Sequence, residues 1–248
     1  MTYCVGVLLK EGLVMLSDTR TNAGVDNIAT YRKLHIHEQP GERVIALASS
    51  GNLSITQAVL SLINEGLLGP NSDEPETFAN VPSMFQAAQL VGRAVREIHR
   101  IDGESLEDHH MRFDIAMLLG GQIKGRRLRL FMIYAAGNFI EATPDTPFVQ
   151  IGEHKYGKPV LDRAVQYDSD LYDALKISLI SMDSTMRSNL AVGLPLDTMV
   201  LRRDTQKVEL FHRIEGGDPY FEDLRARWST ALRAAHQGIP RPPYDRST

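Results

Sequence analysis

The chain of 248 residues is predicted to fold as an α+β domain in which two β-sheets lie between two helical layers. Apolar segments follow one another in the order strands, two helices, strands, two helices, strands, which suits that layered arrangement. The composition, 43% hydrophobic and 23% charged, is ordinary for a globular protein. Because no internal repeat or linker divides the sequence, we assign residues 1–236 to a single domain and 237–248 to a proline-rich tail.

Four strands are predicted in the first fifty residues. Residues 3–9 are apolar and rich in β-branched side chains, and 13–16 form their hairpin partner. The segments 34–37 and 44–48 are the next two strands of this group.

Two helices are predicted to follow. Apolar residues recur at helical spacing over 55–67, and Gly69 and Pro70 are expected to end this helix. Ser83 is the predicted N-cap of a second helix over 83–100.

The second half of the chain returns to strands. The segment 115–119 is almost wholly apolar, so we expect both of its faces to be covered. The remaining predicted elements are strands over 128–136, 139–142, 197–202 and 208–214, helices near 156–166 and 169–190, and a last helix through Phe221 and Leu232.

Charge and cysteine usage narrow the class of protein. The net charge is −4, and no long basic stripe is visible, which argues against nucleic acid as a partner. The single cysteine, Cys4, excludes an intrachain disulfide framework and fits a reducing compartment. No apolar run approaches the ~20 residues of a transmembrane helix, and the start of the chain lacks signal-peptide features. We therefore expect a cytoplasmic protein without a membrane partner.

Two histidines are candidate metal ligands. His35 and His37 share one face of a predicted strand, but no Cys, Asp or Glu accompanies them with ligand spacing. A half-exposed strand is the better interpretation, so the sequence predicts neither a metal nor a cofactor.

Thr2 carries the most chemical information in the chain. If Met1 is removed, Thr2 combines a nucleophilic hydroxyl with a free α-amine of pKa about 7.7–8, which can accept the hydroxyl proton. Threonine after an initiator methionine is common, so this feature needs support from other residues.

Three residues of the first fifty supply that support. Asp18, Lys33 and Gly51 each have a simple interpretation, as a turn residue, a solvated lysine and a turn glycine. Together they offer a cation beside the hydroxyl, a carboxylate to hold that cation, and a backbone N–H at a helix start for an oxyanion.

With these residues the sequence resembles a known class of enzymes. It is similar to the β-type subunits of the proteasome and of the HslV peptidase, which are N-terminal nucleophile (Ntn) hydrolases, and most similar to the bacterial proteasome-related family called Anbu. The matching stretches are Thr2 with the strand after it, 17–20, Lys33, 49–52, 151–159, 182–189 and 192–195. The resemblance implies a four-layer αββα sandwich.

The resemblance assigns roles to the residues near the start of the chain. Thr2 would be the nucleophile and its own base, Asp18 and Lys33 the pair that polarises its hydroxyl, and Gly51 the source of the oxyanion N–H. Thr21 would pair through its backbone with an extended substrate.

Asp183 and Ser188 occupy the positions where the family places an aspartate and a serine near the nucleophile's amine. The serine follows the aspartate by five positions here, against three in the proteasome pattern. Gly152 and Glu153 stand where β-subunits have a glycine and a serine. Both departures concern side chains that would adjust the reactivity of the nucleophile.

The function implied is a threonine-type endopeptidase that acts on peptides or unfolded proteins within a ring-like or helical homo-oligomer. Leu60 lies off the apolar stripe of its helix and is predicted to contribute to contacts between subunits. Two alternatives stay open: an Ntn amidohydrolase for a non-peptide amide, and a catalytically silent assembly subunit. An ATPase partner is neither indicated nor excluded.

Overall fold

A computed structural model describes residues 1–22, 28–69 and 74–244. Within those ranges the chain forms five helices and fourteen strands. The strands are β1 (Tyr3–Leu8), β2 (Gly12–Asp18), β3 (Arg20–Asn22), β4 (Ile28–Thr30), β5 (Leu34–Gln39), β6 (Arg43–Gly51), β7 (Leu67–Leu68), β8 (Pro75–Glu76), β9 (Ile115–Ile123), β10 (Arg129–Ile133), β11 (Phe139–Glu141), β12 (Phe148–Gly152), β13 (Leu196–Arg202) and β14 (Val208–Ile214). The helices are α1 (Leu53–Glu65), α2 (Met84–Asp108), α3 (Lys158–Ala164), α4 (Leu171–Ser188) and α5 (Pro219–Gly238).

Ten strands form two five-stranded sheets. The first sheet has the order β12-β1-β2-β13-β14 and the second β11-β10-β9-β6-β5, with antiparallel neighbours throughout. The pairs β3-β4 and β7-β8 are small ribbons. In the first sheet Tyr3 pairs with Gly152 and Cys4 with Ser17, so the residues before β1 lie beside the end of β2 and the end of β12.

Three buried clusters hold the sheets and helices together. One lies between the two sheets and includes Leu13, Met15, Leu118 and Leu130. The second joins α1 and α2 to the second sheet through side chains such as Val59, Val91 and Leu47. The third joins α3, α4 and α5 to the first sheet through side chains such as Leu161, Met182, Leu224, Val5 and Leu16. Alternate side chains of a strand enter different clusters, as the two-residue period of a strand requires.

The α+β class is confirmed, and so is the coverage of 115–119 on both faces. Met117 and Leu119 pack towards α2, while Leu118 faces the other sheet. The four strands predicted in the first fifty residues are present as β1, β2, β5 and β6.

Two helix ends differ from the prediction. α1 ends at Glu65, and the N–H of Gly66 bonds to the carbonyl of Leu62 at 3.0 Å, so Gly69 is not its terminator; Pro70 lies outside the described residues. α2 continues beyond residue 100 to Asp108, because Leu106 still buries its side chain against the helical cluster. Apolar burial outweighs the turn propensity of Asp102 and Gly103.

Candidate active site

Thr2 lies at the entrance of β1, with 7% of its surface exposed. Its carbonyl oxygen accepts a hydrogen bond from the backbone N–H of Glu153 at 2.7 Å. Gly152 has φ +78°, and a Cβ there would stand 2.0 Å from the Thr2 oxygen, so only glycine permits this approach. The end of β12 therefore fixes the main chain of Thr2, while Met1 remains 66% exposed.

A buried ion pair stands beside Thr2. Asp18 ends β2 and Lys33 precedes β5, with Nζ of Lys33 2.9 Å from Oδ1 of Asp18. The same Nζ donates to the carbonyl oxygen of Arg20 at 2.6 Å, and the N–H of Tyr3 donates to Oδ1 of Asp18 at 3.0 Å. The carboxylate thus connects the ammonium of Lys33 to the first residue of β1.

The Asp18 carboxyl is fully buried, and this determines its electrostatics. Burial raises the pKa of Asp18 above its ordinary value, and the charge and hydrogen bond of Lys33 and the N–H of Tyr3 oppose part of that increase. Removing either partner of such a pair leaves the other charge unmatched in the interior.

Gly51 lies at the junction of β6 and α1. Its φ is +112°, and a Cβ would stand 2.2 Å from the carbonyl oxygen of Asp114, which restricts the position to glycine. The next residue, Asn52, is the N-cap of α1 and accepts a hydrogen bond from the N–H of Ser54 at 3.0 Å. Gly51 therefore stands at the positive end of the α1 dipole.

These residues line a common cavity of about 340 Å³. Thr2, Thr21, Lys33 and Gly51, four residues predicted for the site, all line it, and Asp18 stands behind Lys33. Helix α1 contributes Leu53, Thr56, Gln57 and Leu60. Leu60 therefore lines this cavity, and its contribution to a contact between subunits stays a prediction.

His35 is a cavity residue that the sequence analysis read only as part of a half-exposed strand. It follows Lys33 by two positions, so the strand period places both side chains on one side, and this spacing could have indicated its place. Burial lowers the pKa of the His35 ring, which favours the neutral form at neutral pH.

Cys4 has the surroundings of a core residue. Its side chain is fully buried between the sheets, with Sγ 3.7 Å from the carbonyl oxygen of Ser49. Burial raises the pKa of the thiol strongly, so the reactive thiolate is disfavoured.

A larger cavity of about 740 Å³ follows the free edge of β12 and the side of α3. Lys158 and Asp162 on its wall pair with each other at 2.6 Å. The smaller cavity differs in having a buried ion pair beside it: the side chains of Lys33 and Asp18 are 6% and 0% exposed, whereas those of Lys158 and Asp162 are 50% and 45% exposed.

Asp183 and Ser188 are not among the described residues that line the Thr2 cavity. Asp183 is buried and accepts hydrogen bonds from Nε of Arg225 at 2.6 Å and of Arg187 at 3.1 Å. Ser188 is the exposed last residue of α4. Five helical positions correspond to about 140° of rotation, so the two side chains point to different sides of α4.

Glu153 is a buried carboxylate near Thr2 that the sequence analysis noted only as a departure. It accepts a hydrogen bond from Nδ2 of Asn189 at 3.0 Å and pairs with Nζ of Lys155 at 3.1 Å. Glu153 lies next to Thr2 because it directly follows strand β12, and the sequence did not predict that strand.

Neither a metal site nor a membrane span is found in the described ranges. Within residues 1–22, 28–69 and 74–244, no three His, Cys, Asp or Glu side chains gather in a way that could hold a metal ion. No helix in these ranges is both long and apolar enough to cross a bilayer.

The solved structures contain close relatives of this fold. Anbu from Hyphomicrobium sp. strain MC1, as its Gly-1 mutant, is 54% identical with a TM-score of 0.90, over 98% of this chain and 99% of that one. Anbu, the ancestral beta-subunit, from Yersinia bercovieri is 48% identical with a TM-score of 0.89, over 98% and 100% of the two chains.

The chain belongs to the Anbu family. A third Anbu structure, the helical assembly of the Anbu complex from Pseudomonas aeruginosa, is 43% identical with a TM-score of 0.89, over 98% of each chain. No protein-family model and no curated protein matches the sequence. The Anbu relationship, anticipated from the sequence, extends over nearly the whole chain, so this protein is related to the proteasome.

Proposed function

We propose that this Anbu protein is a threonine-type peptidase of the Ntn-hydrolase class. The observation that carries the proposal is the buried Lys33–Asp18 pair, which borders a cavity lined by the small nucleophilic residue Thr2. A lysine ammonium beside a hydroxyl lowers the free energy of its ionised form. The two sheets with helices on their outer faces support a four-layer αββα sandwich.

In the proposed reaction the α-amine of Thr2, freed by removal of Met1, accepts the hydroxyl proton. The oxygen attacks the scissile carbonyl carbon, and the N–H of Gly51 donates to the resulting oxyanion. Collapse expels the amine half of the substrate, which takes the proton, and leaves an ester on Thr2. Water then hydrolyses the ester. Positioned base catalysis contributes about 10²–10⁴-fold, and one oxyanion donor about 10²–10³-fold.

Thr21 is proposed to pair with the substrate backbone, because it lies in β3 at the cavity wall. The proposed roles of Asp183 and Ser188 beside the amine have less structural support, since two arginines occupy the Asp183 carboxylate.

We further propose that the protein works in the cytoplasm as a ring-like or helical homo-oligomer on peptides or unfolded proteins, with residues 1–236 as one domain. The helical assembly of the Pseudomonas aeruginosa relative supports self-association. The proposal names no ATPase partner.

The test is the site of acylation. A β-lactone acylates a reactive hydroxyl by ring opening, so the protein gains the whole mass of the lactone. We expect active protein to begin at Thr2 and to carry the adduct on that residue. Thr2→Ala should lose both the adduct and peptide hydrolysis, and Thr2→Ser should keep part of each.

Thr230→Ala, an exposed threonine on α5, is the matched control and should behave as the wild type. An adduct on another residue, or full activity in protein that retains Met1, would contradict the threonine mechanism. Assembly without any acylation would favour the silent subunit. Acylation with hydrolysis of small amides only would favour the non-peptide amidohydrolase.

A further inference from the structure

The Thr2 cavity has an uneven distribution of charge. Among the described residues that line it, Arg32 and Lys33 are cationic and none is an aspartate or glutamate. Lys33 is paired with Asp18 at 2.9 Å, which holds its ammonium in place. Arg32 lies at the border between this cavity and a second one, which it lines together with Glu38 and Phe211.

Arg32 is exposed at the rim and has no carboxylate partner among the described residues. Its guanidinium lies 5.6 Å from the centre of the Phe211 ring. That contact supports the plane of the guanidinium and leaves its N–H donors available. A guanidinium held in this way is suited to a carboxylate, which it can bind with two parallel hydrogen bonds.

The rest of the wall combines apolar side chains, such as Leu53 and Leu60 of α1, with polar ones. The His35 ring is hydrogen-bonded to the backbone of Arg32, while Gln57 of α1 is exposed at the cavity and offers amide N–H groups. A large apolar side chain inserted here would remove these groups from water without giving them a partner, which is costly. A side chain that accepts hydrogen bonds would satisfy them.

We propose that this cavity selects substrates with an acidic side chain, aspartate or glutamate, at the residue that supplies the scissile carbonyl. Arg32 is the residue that determines this specificity, with Gln57 as a supporting donor. The inference rests on the proposed function, because it names the substrate class of the same site.

The experiment compares two peptide substrates that differ only in glutamate or glutamine at that residue, since the pair is nearly isosteric and differs by one charge. For the wild type we expect kcat/KM to favour glutamate by about threefold or more, the size expected for one partly solvated charge pair. Arg32→Gln should reduce the ratio to about one while keeping hydrolysis of the glutamine peptide. Arg100→Gln, at an exposed arginine of α2 outside the cavity lining, should keep the wild-type ratio.

A binding measurement separates this inference from the proposed function. Fluorescent forms of the same two peptides are titrated against Thr2→Ala, with and without Arg32→Gln, and polarisation is recorded. If wild-type protein hydrolyses neither peptide but Thr2→Ala binds the glutamate peptide more tightly through Arg32, the peptidase proposal fails and the acidic preference stands. Equal binding of both peptides, or a ratio unchanged by Arg32→Gln, would overturn the acidic preference whatever the hydrolysis shows.

Discussion

At the scale of single residues, one oxygen atom organises the site. Oδ1 of Asp18 accepts hydrogen bonds from both Nζ of Lys33 and the N–H of Tyr3. The carboxylate that positions the Lys33 ammonium is therefore also hydrogen-bonded to the strand that follows Thr2. In the proposed reaction Asp18 acts through Lys33, so we expect the two side chains to behave as one functional unit.

Substitutions at this pair should be strongly non-additive. We expect Lys33→Met to lower kcat/KM by about 10²-fold or more and Asp18→Asn by a similar factor, with the double variant losing little beyond either single one. Lys33→Arg should not restore activity, because a planar guanidinium does not replace a compact ammonium. Lys124→Met, an exposed lysine in the turn after β9, is the control. Steady-state kinetics on the four proteins of the cycle decide the matter, and fully additive losses would contradict the pairing.

Tyr3 gives a prediction about alkaline stability. Its hydroxyl is buried between Ser181 and Gln150, and burial raises the pKa of Tyr3 from 10.0 to about 12 against the effect of these hydrogen bonds. The folded state thus holds this proton more tightly than the unfolded state. The corresponding stability is complete below pH 10 and is lost as the pH rises to about 12, by roughly 2–3 kcal/mol.

Urea unfolding midpoints measured from pH 8 to pH 12 test this expectation. Tyr3→Phe should be less stable than the wild type at pH 8, because it lacks the hydroxyl hydrogen bonds, but its stability should fall less between pH 10 and pH 12. Parallel curves for the two proteins would show that Tyr3 does not contribute to the alkaline loss.

At the scale of secondary-structure elements, β12 is the strand that holds the entrance of β1. Its last residue, Gly152, combines φ +78° with an approach to the Thr2 carbonyl that leaves no space for a Cβ. Gly125, in the turn after β9, has the similar φ of +72° but no atom within 4 Å of its potential Cβ. Comparing alanine substitutions at the two glycines therefore separates the cost of backbone strain from the cost of the clash with the Thr2 carbonyl.

We expect Gly125→Ala to cost about 1 kcal/mol of unfolding free energy from strain alone. Gly152→Ala should cost about 2–4 kcal/mol, because the main chain of Thr2 must shift, and it should also abolish acylation by the β-lactone. Denaturant unfolding and mass spectrometry of both variants provide the comparison. Equal stability and full acylation in the two variants would show that β12 does not position Thr2.

The strands and helices also show how much of the fold and of the site could be predicted from the sequence. Strands β1, β2, β5 and β6 were predictable because their apolar residues are continuous or alternate, and they bring Asp18, Lys33 and Gly51 to one end of the sheets. Strand β12 was missed, since Phe148–Gly152 contains a glutamine and a glycine within a short segment. Glu153 was therefore not recognised as a neighbour of Thr2, and the contacts of Asp183 with Arg225 depend on the packing of α5 on α4, which no local pattern contains.

At the scale of the whole molecule, the question is how many copies act together. The exposed surface of α5 includes Leu232, which is 50% exposed, and the helix buries only Phe221 and Leu224 in the described part of the fold. Most of α5 therefore has a surface that a neighbouring subunit could cover.

We expect a homo-oligomer of about six or more subunits at micromolar concentration, in keeping with the tendency of homo-oligomers to form symmetric or helical assemblies. Multi-angle light scattering of the wild type and of Thr2→Ala should give the same mass, because that substitution removes only small groups at the cavity. A monomer of 27.7 kDa that still hydrolyses peptides would contradict the assembly and leave the nucleophile proposal intact.

The bond from the Tyr3 amide to Asp18 makes one backbone N–H a sensor of the site. This amide lies 3.0 Å from the carboxylate oxygen that also holds Lys33, so its NMR chemical shift should follow the charge of that carboxylate through a pH titration. Its hydrogen-exchange rate should likewise rise whenever the entrance of β1 detaches from β2. A single nucleus could thus show whether Asp18 and Lys33 are in place beside Thr2 in an unliganded molecule.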